Sequence, residues 1–169
     1  MTKERKVYTI EDLINKTSKY ITNQKELEEV RQAYEYAKQK HFGQYRKSGE
    51  EFIVHPLNVA IILTGVYADK SSIEAALLHD VVEDCDSSIA EIEEKFGQEV
   101  GKLVNGVTQL SRINFSTENE YLIEYYKKII VGMSEDVRVI IIKLADCLHN
   151  MRTLWALPEA KQKEKAKEA

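Results

Sequence analysis

Punctuation is what most constrains this chain. Its 169 residues hold only two prolines and seven glycines, and between those breakers the apolar residues recur at helical rather than alternating spacing, so the sequence reads as all-α. Start signals divide it further. Thr9 with Asp12 opens a short helix, and Asn23 with Glu26 opens a longer one over Gln24 to Phe42, closed by Gly43. After the polar loop QYRKSGEEF, His55-Pro56 starts a helix through Ile62, with Pro56 at the first helical position, where a missing N–H costs nothing. Ser71 with Glu74 reads as a capping box for the helix that carries ALLHDVVED, and Ser88 with Glu91 starts a helix ended by Gly97. EVGKLVNGVTQL keeps helical spacing, and Ser116 is expected to cap a further helix of about 16 residues.

The segment VRVIIIKLADCLHNMRTL is ambiguous at Val139 to Ile142, a β-branched run that would suit a buried strand. Its length and the continued apolar positions Ala145, Leu148 and Met151 favour a buried helix. After Pro158 comes a polar helix-forming run without a cap.

Composition excludes several classes. No run of eighteen apolar residues is present to span a bilayer, and no apolar stretch follows the charged N-terminus to make a secretory signal, so the expected location is the cytoplasm. A net charge of -4 argues against nucleic-acid binding, which needs Lys and Arg spread over a face. Cys85 and Cys147 form no CxxC pair and read as free, buried thiols.

The strongest chemical signal is His79-Asp80-Val81-Val82-Glu83-Asp84. On one helix Glu83 would stack over His79 and Asp84 over Asp80, with Val81 and Val82 turned inward. The hexapeptide taken alone fits a solvated helix end equally well. With His55 before a proline-started helix and Asp146 inside an apolar one, the set becomes two imidazoles and two carboxylates. Such a mixed nitrogen and oxygen shell suits manganese, iron or zinc, with positions open to water and substrate.

The order H…HD…D resembles the HD phosphohydrolase superfamily. GQYRKSGEEFIVHP, AALLHDVVED, FGQEVGKLVNGVTQLS and IKLADCLHNMRTL resemble, more narrowly, the hydrolase domain of RelA/SpoT-type alarmone enzymes. The resemblance implies an all-α HD-domain bundle of about eight to ten helices. It implies one Mn2+ ion held by His55, His79, Asp80 and Asp146, with Glu83 and Asp84 activating or positioning the attacking water. It places the nucleotide pocket at Arg46, Lys47, Ser48, Asn150 and Thr153. The chemistry agrees: a planar guanidinium stacks on guanine, an ammonium meets phosphate, and an amide reads base edges.

The expected reaction is removal of the 3′-pyrophosphate from the guanosine alarmones ppGpp and pppGpp. Alternatives are a catalytically silent regulatory HD module and an HD phosphohydrolase of another nucleotide. The expected organisation is a hydrolase domain over residues 1–157 and, over 158–169, the start of a connecting helix toward a synthetase domain that this sequence does not contain. The chain would then be a fragment or a natural short form. Two departures from the family pattern are expected to bear on substrate affinity: Cys147 where arginine is usual, and Glu51-Phe52 where Pro-Tyr is usual. His149 reads first as a satisfied structural histidine, with a supporting place behind the site as the alternative it shares with Arg152; His41 is assigned a helix-end role, Lys143 a salt bridge to Asp146, and the tyrosine-rich EYYKK a core and solvated face.

Overall fold

A computed structural model describes residues 7–111, 127 and 136–168. The regular structure of these residues is helical, with no strand among them; an isolated bridge pairs Tyr45 with Glu51. The helices are α1 Ile10–Thr17, α2 Gln24–Lys40, α3 Val54–Leu63, α4 Lys70–Leu78, α5 Val81–Asp84, α6 Ile89–Phe96, α7 Gln98–Ser111, α8 Val137–Arg152 and α9 Glu159–Glu168. Short 3-10 turns follow α3 and α8. None of the described helices is long and apolar enough to cross a membrane. The helix expected from Ser116, and EYYKK apart from Lys127, lie outside the described residues.

Helix α4 is the axis of the bundle. Every residue from Ser71 to Leu78 is buried, and α2, α3, α7 and α8 all pack on it, as a helix without a polar face requires. Its N-cap differs from expectation: Asp69, not Ser71, closes the end by accepting from the Ser72 amide at 2.9 Å. Ser71 and Glu74 instead lie inside the helix, where Glu74 faces Lys70 at 3.4 Å. Asp69 also receives Arg138, whose guanidinium donates to Asp69, Glu99 and Asp136 at 2.6 to 2.7 Å. One side chain thereby orients the start of α8 against α4 and α7.

The other expected N-caps follow the sequence, while α2 ends at Lys40 with His41 as its C-cap, two residues before the expected Phe42. Thr9 forms the full capping box with Asp12, and Asn23 and Ser88 accept from the amides of Lys25 and Glu91. Gly97 ends α6 at a φ of 92°, a conformation that a side chain would strain. The ambiguous β-branched run is helical and belongs to α8. Gly106 lets α7 and α8 meet closely, since a Cβ there would stand 2.7 Å from Val139 Cγ2. Helix α3 begins two residues earlier than expected, at Val54, which makes Pro56 its third residue. The placement still costs no bond, because first-turn amides have no intrahelical acceptor.

Candidate metal centre and adjoining pocket

The HD segment is not one helix. Helix α4 stops at Leu78, and His79 and Asp80 form the turn into the short α5. Both residues keep right-handed helical dihedrals, and their side chains bend toward each other, His79 Nε2 lying 3.1 Å from Asp80 Oδ1. Val81 is fully buried as expected, while Val82 is only half-buried.

Four side chains converge on one centre. His55, near the start of α3, places Nε2 3.4 Å from Asp80 Oδ2 and 3.2 Å from Asp146 Oδ1. Asp146 arrives from the middle of α8 and lies 4.0 Å from His79 Nε2. Ligand atoms of His55, His79 and Asp80 lie within 4.8 Å of one another. His55, His79 and Asp146 are all at most 5% exposed, a costly place for carboxylates without a cation.

The donor set fits a metal. His79 Nδ1 is 2.8 Å from the Ala76 carbonyl, which accepts only, so Nδ1 carries the proton. In the neutral ring its buried Nε2 is then a lone pair with no hydrogen-bond partner among the described residues, aimed at carboxylate oxygens that are also acceptors. A divalent cation resolves that opposition of lone pairs. The carboxylates also draw positive charge of any kind to the centre. Burial opposes protonation of His79, but Asp80 and Asp146 outweigh it and raise its pKa. Burial lowers the pKa of His55. Burial alone would raise that of Asp146, yet the adjoining His55 and His79 and the Lys143 ammonium hold it far below the carboxylate range.

Neighbours hold these groups in place. His149 Nδ1 lies 2.7 Å from His55 Nδ1 in a buried contact, and burial with the nearby His55 charge pushes His149 down to about 3. A neutral His149 accepts from His55 Nδ1–H and leaves His55 Nε2 free to ligate. Lys143, left outside the site by the sequence, donates to Asp146 Oδ2 at 2.8 Å and to Ser111 at 2.9 Å. Glu83 and Asp84 stand at the end of α5, both exposed, and partial desolvation followed by the Asp80 charge raises the pKa of both.

Beside this centre is a cavity of about 400 Å³. Arg46, Lys47, Ser48, Asn150 and Thr153 all line it, although the first three and the last two are a hundred residues apart. Arg46 Nη2 donates to Asn150 Oδ1 at 2.9 Å and to Thr153 Oγ1 at 3.3 Å. Phe52 forms part of the wall, with the Arg46 guanidinium 5.9 Å from its ring. Tyr45, Leu154, Leu157 and Lys165 also line the cavity and were not found in the sequence. The aromatic Tyr45 beside Arg46 was a usable signal; Lys165 lies in a uniform polar run that singles out no position. Cys85 and Cys147 are free, as expected, but half-buried rather than buried.

Comparison with known proteins follows the same lines. Residues 33–169 match the HD domain family model. A guanosine-3′,5′-bis(diphosphate) 3′-pyrophosphohydrolase of Aquifex aeolicus is 50% identical over 141 residues, 83% of this chain and 20% of that protein. The Vibrio cholerae protein of the same name is 41% identical over 162 residues, 96% of this chain and 23% of that protein. The chain thus spans about a fifth of the length of these curated relatives. A solved structure described as a metazoan ortholog of SpoT that hydrolyzes ppGpp superposes with a TM-score of 0.65 at 31% identity, covering 80% of this chain and 78% of that one.

Proposed function

The chain belongs to the HD domain family, in its RelA/SpoT branch, and on that premise we propose that it hydrolyses the 3′-pyrophosphate of ppGpp and pppGpp, giving GDP or GTP and pyrophosphate. The observation that carries this is the adjacency of two features: a buried His/Asp cluster with an unpartnered His79 Nε2, and a cavity lined by Arg46, Lys47, Ser48, Asn150 and Thr153.

His55, His79, Asp80 and Asp146 are the proposed ligands of one divalent ion, taken to be manganese. Such an ion acidifies a bound water and offsets charge on phosphoryl oxygens. The other work falls to the chain. Arg46, already poised between Asn150 and Thr153, stacks on the guanine, and Asn150 reads its edge. Lys47 and Ser48 meet phosphate oxygens. Glu83 or Asp84, its pKa raised by partial desolvation and Asp80, takes the proton of the attacking water. The relatives' length suits a synthetase domain after residue 169, with residues 1–157 as the hydrolase domain and 158–169 as the start of the connection. The proposed setting is the cytoplasm.

The test is pyrophosphate release from ppGpp by the purified chain, with and without manganese and with Asp80→Ala as control. Manganese-dependent release that the variant lacks is expected. A folded, metal-loaded chain that releases none is a regulatory module or acts on another nucleotide.

A further inference from the structure

His41 is a buried residue that the proposed reaction leaves unused. It follows α2, is 3% exposed, and stacks on Phe52 with ring centroids 4.5 Å apart and planes 22° from parallel. Phe52 in turn stands edge-on to His55 and beneath Arg46. The polar edge of the His41 ring reaches a different part of the site. Its Nδ1 lies 2.8 Å from Gln44 Oε1 and 3.3 Å from Cys85 Sγ. Gln44 Nε2 donates to the Asp84 carbonyl at 3.1 Å. With the Gln44 amino group committed to a carbonyl, its Oε1 is left to accept, so His41 Nδ1 carries the proton.

That tautomer leaves His41 Nε2 a bare, buried lone pair with no partner among the described residues. An unsatisfied buried acceptor is costly, and a phenylalanine would stack on Phe52 without that penalty. The histidine is therefore accounted for by its other nitrogen. Asp84 needs such an anchor, because α5 is a single turn of four residues, too short to hold its own conformation. Tyr36 and Lys40 of α2 hold the residues beyond it, through Ser87 Oγ at 3.2 Å and the Asp86 carbonyl at 3.3 Å. The Gln44 bond falls on Asp84 itself. Gln44 also anchors the nucleotide loop through its backbone, whose carbonyl accepts from the Phe52 amide at 3.0 Å.

We infer that His41 is a positioning residue. By stacking on Phe52 and hydrogen-bonding through Gln44 to the Asp84 backbone, it sets the loop that holds the nucleotide against one of the two carboxylates proposed to take the water's proton. This rests on the hydrolase function proposed above.

Two variants separate its contacts. His41→Phe keeps the stack and loses the hydrogen bond; His41→Asn puts an amide N–H near Nδ1 and loses the ring. In pyrophosphate release from ppGpp with manganese, His41→Phe should lower kcat about tenfold and change KM less than about twofold, as loss of alignment in the transition state requires. His41→Asn should mainly raise KM. In an Asp84→Asn background His41→Phe should add no further loss, because the group it aligns is gone. Folded variants with wild-type kcat and KM would overturn the assignment, as would a His41→Phe loss that persists in full beside Asp84→Asn. If His41→Phe does not fold, Gln44→Leu breaks the same bond and carries the same expectations. If the wild-type chain releases no pyrophosphate, the hydrolase proposal fails separately, and amide exchange reads the link without turnover. Exchange should quicken over residues 83–87 in His41→Phe and over 46–52 in His41→Asn; unchanged exchange in both would overturn it.

Discussion

Asn150 donates its side-chain amide to Oδ1 of Asp146 at 2.7 Å. Because its own Oδ1 accepts from Arg46, the bond joins the metal cluster to the cavity. Asn150→Ala should therefore damage both functions. Losing a hydrogen bond to a charged group costs about 1.5–3 kcal/mol. The expected outcome is a KM for ppGpp raised about tenfold or more together with weaker manganese binding in a calorimetric titration. A raised KM with unaltered metal affinity would show that the Asp146 bond does nothing for the cluster.

The metal itself should report on the cluster without substrate. A ligand present at about 100 times its Kd stabilises the folded state by about 2.7 kcal/mol. Adding manganese to chelator-treated wild-type chain should raise Tm, and the same addition to Asp80→Ala or His79→Ala should not. Thermal melts at matched ionic strength measure this, and an equal rise in wild type and variants would place the ion elsewhere.

The contact between His55 and His149 predicts an effect from a residue outside the ligand set. His149→Phe fills the same space but cannot accept from His55 Nδ1. Removing such a partner typically costs about 10–100-fold in metal affinity, and competition against a fluorescent chelator would measure it. Near-normal affinity in the variant would mean that packing alone orients His55.

Glu74 supplies a pH signature remote from the metal. Its burial, only partly offset by Lys70, pushes its carboxyl from 4.5 up to about 7. Between those values the folded chain keeps a proton that the unfolded chain releases, so stability falls as pH rises through that window and stays lower above it. The contribution is roughly 3 kcal/mol at its upper limit. Glu74→Gln should melt higher than wild type at pH 8, and the gap should close toward pH 4.5. Lys70 retains Glu29 at 2.7 Å in either case. A gap that does not vary with pH would point to packing instead.

Much of this architecture was legible locally. The capping box at Thr9 and Asp12, the Ser88 cap, the stop at Gly97 and the helical course of residues 137–152 all depend on neighbours within four positions, which is the range over which helix signals act. The residue types of the site were legible too, because acidic and imidazole side chains beside apolar runs have few stable uses without a cation. Local patterns misled where a distant partner outweighed them. Ser71 and Glu74 have the spacing of a cap, yet Asp69 takes that place, where Arg138 from sixty-nine residues away also binds it. The His79-Asp80 hexapeptide has helical periodicity, yet a turn interrupts it where His55 and Asp146 approach from α3 and α8.

By itself the sequence determined the helices, most of their ends and the chemical inventory of the centre, since these follow from propensity, capping and side-chain type. Only the tertiary structure decided which side chains meet. The bond of His55 to His149, the span of Asn150 between Asp146 and Arg46, and the tie from His41 through Gln44 to Asp84 link residues up to 104 positions apart. Such distances are set by how α2, α3 and α8 pack around α4, and no periodicity along a single helix encodes that packing.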